Sequence, residues 1–282
     1  MITLAGATAQ QLFRMKLWVL VGSFSLVTVI VGYFFPTGSP EQQLKLLKDV
    51  SLGAVQIFAL ILAVASGAIL LPKDIEDRTL YILLTKPLYR WQYILGRWLG
   101  IVWVLILSLM LMDVLFSSVI YLKEKEIHTD IVAIYQQKGM QVNEDVIIKI
   151  QQQGMSWDFQ GAVGVIILKS SVLAAIVIFL SCFATSTLFS ILVGFFIYGI
   201  GHMHEWVKEW IHFFQWDAWF EDLVLNVVYL ALPDWGRYDL SDFLLQGKLI
   251  TWLVYYELIR MTLVYICWYL FWASWVFQRK EF

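Results

Sequence analysis

Charge is scarce in this sequence: 15% of its 282 residues are Asp, Glu, Lys or Arg, against 60% that are hydrophobic. A soluble domain carries about a quarter charged residues, so that class is excluded and an integral membrane protein is indicated. Cysteine is nearly missing. Cys182 and Cys267 both sit in or beside apolar runs, where a free thiol behaves as a small hydrophobe, and no disulfide framework or metal spacing is present. No GxxxxGK[ST] phosphate-binding sequence occurs, so nothing in the chain cradles ATP in the usual backbone nest. No nucleophile stands beside a base, which leaves an intramembrane enzyme a weak reading. The net charge of −2 argues neither for nucleic acid nor for a basic peripheral membrane protein.

Long apolar runs are plentiful. Mean hydropathy is +0.71, and 16% of residues are aromatic. A bilayer core needs about 20 apolar residues at the helical rise. Runs at 17–35, 50–71, 93–122, 161–182, 187–203 and 250–277 meet or approach that length. The first follows Arg14 and Lys16 without a clean small-residue cleavage site, and it reads as a retained span, not a signal peptide. The fold class expected is therefore all-α integral membrane with six transmembrane helices.

Three stretches break the pattern. Residues 72–92 form a charged segment between the second and third spans, expected to begin after Pro72 as a short helix outside the bilayer. Residues 123–160 are polar and glutamine-rich and read as a partly helical insertion. Residues 203–249 place Trp206, Trp210, Trp216, Trp219 and Trp235 among acids, as in amphipathic helices lying at headgroup level.

Six spans put both termini on one side. That side, with residues 72–97, holds nine basic and four acidic residues in short loops, whereas the other holds nine basic and sixteen acidic in long ones. Positive charge is read in short loops, so the termini and the 72–92 segment are expected in the cytoplasm.

The stretch IEDRTLYILLTKPLYRWQYILGRWLG resembles the cytoplasmic segment of type-2 ABC transporter permeases, particularly the bacterial group linked with multi-copper enzyme maturation. Glu76, Arg78-Thr79, Leu83-Leu84, Lys86-Pro87, Arg90 and Gly96-Arg97 carry the pattern, with Arg97 in place of a lysine. ATSTLFS at 184–190 and LPDWGRYDL at 232–240 are similar to the same family, whereas the 123–160 insertion has no clear counterpart. The resemblance implies a single permease domain in a bacterial inner membrane. It also implies a homodimer or a heterodimer with a second permease, driven by a separate ABC ATPase subunit. ATP and Mg would bind that partner, with no cofactor on this chain. The function implied is an exporter subunit; the alternative is a membrane component of an extracytoplasmic enzyme-maturation or assembly machine.

Candidate residues follow. Asp74, Glu76, Asp77, Arg78, Thr79, Lys86, Pro87 and Arg90 are expected to couple to the ATPase, the acids standing at a helix N-terminus; the alternative is a solvated loop whose charges only set topology. Asp113, Lys169, Glu257 and Arg260 fall inside predicted spans, where an unpaired charge costs at least about 2.5–3.5 kcal/mol. They are expected to pair, either as a gate lining a path or as a structural ion-pair network. His202, His204 and His212, with Glu205 and Glu209, form at most a weak metal candidate, since their spacing matches no strong motif.

Overall fold

The computed structural model describes residues 2–14, 17–34, 40–76, 89–137, 157–184, 186–203, 219, 232–240 and 251–279. Within them lie seven α-helices, one 3-10 turn and no strand. The helices are α1 (Ile2–Arg14), α2 (Leu17–Phe34), α3 (Pro40–Glu76), α4 (Arg90–Gln137), α5 (Trp157–Phe183), α6 (Thr187–His202) and α7 (Trp252–Arg279), with the 3-10 turn at Trp235–Tyr238. The helices α3, α4, α5 and α7 are long and apolar enough to cross a bilayer, while α2 and α6 carry shorter apolar stretches.

The centre of the bundle is α5. Every residue from Lys169 to Ile178 is buried, the mark of a helix enclosed on all sides. Polar ties reinforce that position: Ser181 Oγ donates to Gly67 O of α3 at 3.1 Å, and Trp98 Nε1 of α4 donates to Ser171 O at 3.0 Å. By contrast, α7 exposes most of its surface, including Leu263, Val264, Phe271 and Trp275.

Contacts fix the directions. Asp74 at the end of α3 meets Arg97 near the start of α4, whereas Leu44 near the start of α3 packs with Ile127 and Ile131 of α4. These two helices are antiparallel. Lys169 meets His202, so α5 and α6 are antiparallel too, while Phe179 lies against Tyr269 and Gly161 against Tyr255, so α5 and α7 run together. The result places α1 and the C-terminal end of α7 at the same end of the bundle.

Several expectations change. The second run does not stop at Pro72: α3 covers 37 residues, from Pro40 to Glu76, and Pro72 is buried within it. Proline removes one backbone donor and clashes with the preceding turn, yet tertiary packing at this site holds the helix. The helix α4 is 48 residues long and extends past Leu122 to Gln137, because Ile120, Ile127 and Ile131 keep a buried stripe, the last two meeting Leu44. At 1.5 Å per residue α3 and α4 are about 55 and 72 Å long. Both overshoot a hydrocarbon core of about 30 Å, so their far ends form a stalk in which Lys123 pairs with Glu126 at 3.0 Å. The remainder of the insertion, 138–156, lies outside the described residues. So do most of 203–249, where the fully buried Trp235 departs from the interfacial belt expected for it.

Helix α1 was not expected. Thr8, Ala9 and Leu12 are buried, with Leu4 packed partly, a spacing that puts one stripe against a neighbour. That neighbour is α4, at Gly96 and Gly100. A Cβ on Gly100 would fall 2.8 Å from Ala5 O, so the two backbones approach as closely as small residues four apart allow.

Candidate functional site

The most heavily tied point in the bundle sits at the end shared by α1, α3, α4 and α7. Asp74 is 3% exposed and Arg97 5%, and their side chains form an ion pair. Tyr93 Oη donates to the same carboxylate oxygen, Asp74 Oδ2. Arg97 Nη1 donates to Thr8 Oγ1 at 3.1 Å and to Gln11 Oε1 at 3.0 Å, both on α1. One guanidinium therefore joins three helices, which the planar fork of arginine permits and a lysine ammonium would not reproduce.

The node reaches α7 as well. The Tyr93 ring stacks on Phe277 with centroids 5.4 Å apart. Arg90 Nη1 donates to Phe277 O at 3.1 Å and to Gln278 O at 2.8 Å, closing carbonyls in the last turn of α7 with a cation. The segment 77–88 is thus bracketed by anchored residues on both flanks.

This arrangement differs from the one expected at two of the proposed coupling residues. Asp74 does not stand at the N-terminus of a new helix; it lies in the last turn of α3 and is buried. Arg90 binds the α7 C-terminus. Asp77, Arg78, Thr79, Lys86, Pro87 and the side chain of Glu76 lie outside the described residues. What sequence reasoning missed was Arg97, Tyr93, Thr8 and Gln11 as one unit. A signal existed: Arg97 stands next to two glycines spaced to receive a helix.

A second polar assembly lies toward the other end. Lys169 Nζ is 3.0 Å from His202 Nε2, and His202 Nδ1 is 2.9 Å from Tyr198 O. The consistent tautomer has Nδ1–H donating to the carbonyl and Nε2 accepting from the ammonium. Lys169 Nζ also lies 5.1 Å from the Tyr198 ring centroid, and Gln56 Nε2 donates to Tyr198 Oη at 3.0 Å. Trp235 closes this assembly. Its ring lies against Gly201, where a side chain would collide with it, and 6.0 Å from Tyr198. The turn is held by Asp234, whose Oδ1 accepts from Gly236 N at 3.1 Å, and by the Tyr238 hydroxyl, 3.0 Å from Thr262 Oγ1. Burial pushes the Tyr238 phenol up from its ordinary value, so it stays a neutral hydroxyl.

The expected four-residue intramembrane cluster does not form. Lys169 takes His202, Asp113 accepts from Ser117 Oγ at 3.3 Å, and Glu257 and Arg260 are exposed on α7. Among the described residues no ion pair joins these four to one another. Comparable depth does not suffice for pairing, since the neighbour each side chain meets depends on helix rotation. His202 uses both ring nitrogens, and among the described residues no group of metal-ligating side chains assembles. His204 and His212 are outside those residues.

The family described as ABC-2 family transporter protein matches residues 4–282. The chain belongs to that family. Among curated proteins, none matches it. An ABC-2 protein is the membrane component of an ABC transporter and is not itself catalytic, and ABC-2 permeases generally work with an ABC ATPase partner. The match is to the ABC-2 family as a whole and does not separate out the copper-enzyme maturation group.

Proposed function

We propose that this chain is the permease subunit of an ATP-driven exporter. It spans a bacterial inner membrane six times, through α2 to α7, with α1 and the α7 C-terminus in the cytoplasm. A partner ATPase holds ATP and Mg and engages the segment 77–88. Two permease chains, identical or related, pair with two ATPase subunits. Placement in the copper-enzyme maturation group rests on the resemblance of residues 75–100.

The observation that carries the reading is that both flanks of 77–88 end in one buried node. A displacement of that segment pulls on Asp74 before it and on Arg90, Tyr93 and Arg97 after it. Those residues hold α1, α3, α4 and the end of α7, so a local push becomes a concerted tilt of packed helices. Packed helices shift between discrete arrangements, and the ATPase biases them through its differential contact in its two states. The density of basic residues in the short loops at this end supports its cytoplasmic placement.

The test is the double charge reversal Glu76→Arg with Arg78→Glu. The expected result is an ATPase that still copurifies and hydrolyses ATP while ATP-driven transport in vesicles is lost. Normal coupled turnover in that variant would sink the proposal. The projecting stalk of α3 and α4 favours one second reading, a machine that uses the same motion to assemble or mature an extracytoplasmic partner. ATPase-dependent capture of that partner on the stalk, without flux, is the outcome that selects it.

A further inference from the structure

Helix α7 carries an exposed stripe at Glu257, Arg260, Val264, Trp268, Phe271 and Trp275, spaced three and four residues apart. Its upper two members are charged. Among the described residues neither has an ion-pair partner. A carboxylate and a guanidinium one turn apart offset each other's charge, and together they present one acceptor and one donor fork to a zwitterionic ligand.

Depth agrees with that. Residues 261–277 carry no charge, and at the helical rise they span about 26 Å, close to the hydrocarbon thickness of about 30 Å. Arg260 therefore stands at one edge of the hydrocarbon, and Arg279, stacked 3.7 Å from the Trp275 ring centroid, stands at the other. Below Arg260 the described walls of a recess all belong to α7. This recess, of about 830 Å³, runs along α7 from Arg260 past Leu263, Cys267 and Trp268 to Phe271. Its length along the helix, about 17 Å, matches one leaflet of acyl chain. Arg237 reaches the same rim, with Nη1 3.8 Å from Met261 Sδ.

We propose that this recess binds one phospholipid with an ethanolamine headgroup, from the leaflet on the α7 N-terminal side. The order of groups along the helix matches the order along the lipid. The acyl chain lies from Phe271 to Leu263, the phosphate meets Arg260, and the ammonium, farther out, meets Glu257. A guanidinium binds phosphate oxygens through charge-assisted hydrogen bonds, and the carboxylate one turn above it takes the ammonium. A headgroup without an amine would leave Glu257 beside a phosphate, so the site discriminates between headgroups and does more than fill a surface with lipid. The proposal does not depend on which substrate the transporter moves.

Native mass spectrometry of the full chain, purified in mild detergent and offered phosphatidylethanolamine or phosphatidylglycerol, reads the site directly. Wild type retains one phosphatidylethanolamine in preference to phosphatidylglycerol. Arg260→Gln lowers that retention about tenfold, as loss of one charge-assisted contact requires. Arg260→Lys, which keeps the charge, retains the lipid, and Glu257→Gln abolishes the preference between the two headgroups. Equal retention by wild type and Arg260→Gln overturns the proposal, as does an unchanged preference in Glu257→Gln. The exposed Cys267 lies in the recess while Cys182 is buried. An efficient Cys267-to-Cys267 disulfide between chains in membranes would assign this face to a second copy and would equally overturn the lipid site.

Discussion

Replacing Asp74 by alanine strands Arg97. Arg97 is 5% exposed, and without the carboxylate its guanidinium keeps the neutral Thr8 and Gln11 oxygens and the face of the Tyr93 ring. Removing one partner of a buried ion pair costs about 3–5 kcal/mol. At roughly 2 °C per kcal/mol for a chain of this size, that is a fall in Tm of about 6–10 °C. Arg97→Ala should be comparably severe, since it leaves a buried carboxylate with Tyr93 as donor and detaches α1. The double variant Asp74→Leu with Arg97→Met removes both charges and fills the space with apolar groups. Buried pairs replaced in this way are often neutral or stabilising, so the double variant should melt within about 1 kcal/mol of wild type. Reversible unfolding of Asp74→Leu, Arg97→Met and the double variant in mixed detergent micelles, run as a double-mutant cycle, measures the coupling. If Asp74→Ala lies within 1 kcal/mol of wild type, or if the two single losses simply add in the double variant, the node does not hold these helices in the way argued.

Gly201→Ala should destabilise by about 1–3 kcal/mol, because the new methyl meets the Trp235 ring and Pro233 O at 2.9 Å. Gly199→Ala, with nothing within 4 Å, is the control and should leave Tm unchanged. Lys169→Met should be stable or better, since the ammonium is 3% exposed and hydrogen-bonded to a neutral imidazole. His202→Phe alone should cost about 2–3 kcal/mol by leaving that ammonium without its acceptor, and adding Lys169→Met should restore most of it, both read by thermal unfolding in detergent.

Much of the fold was legible from local information. Apolar runs interrupted by charge located α2 to α7, and four of these helices, α3, α4, α5 and α7, are long and apolar enough to cross a bilayer. The ends were less legible. Pro72 reads as a stop in isolation, yet packing carries α3 through it, and the polar residues after Leu122 read only as a partly helical insertion, whereas α4 continues through them to Gln137 with Ile127 and Ile131 on a buried stripe. Helix α1 is short, and its stripe of Leu4, Thr8, Ala9 and Leu12 mixes small and polar residues, so its burial depends on the glycines of α4.

Membrane class, the long apolar runs, the family motif around residues 76–97 and the absence of a phosphate-binding loop were determined by the sequence alone, because each is a property of consecutive residues. Which charges meet was decided only by the tertiary structure. Asp74 and Arg97 lie 23 positions apart and become one node, whereas Asp113 and Lys169, expected at similar depth on consecutive helices, find other partners. Depth follows from the count of residues along a helix, but pairing depends on helix rotation and on which neighbour packs against which face, and those are set by the whole bundle.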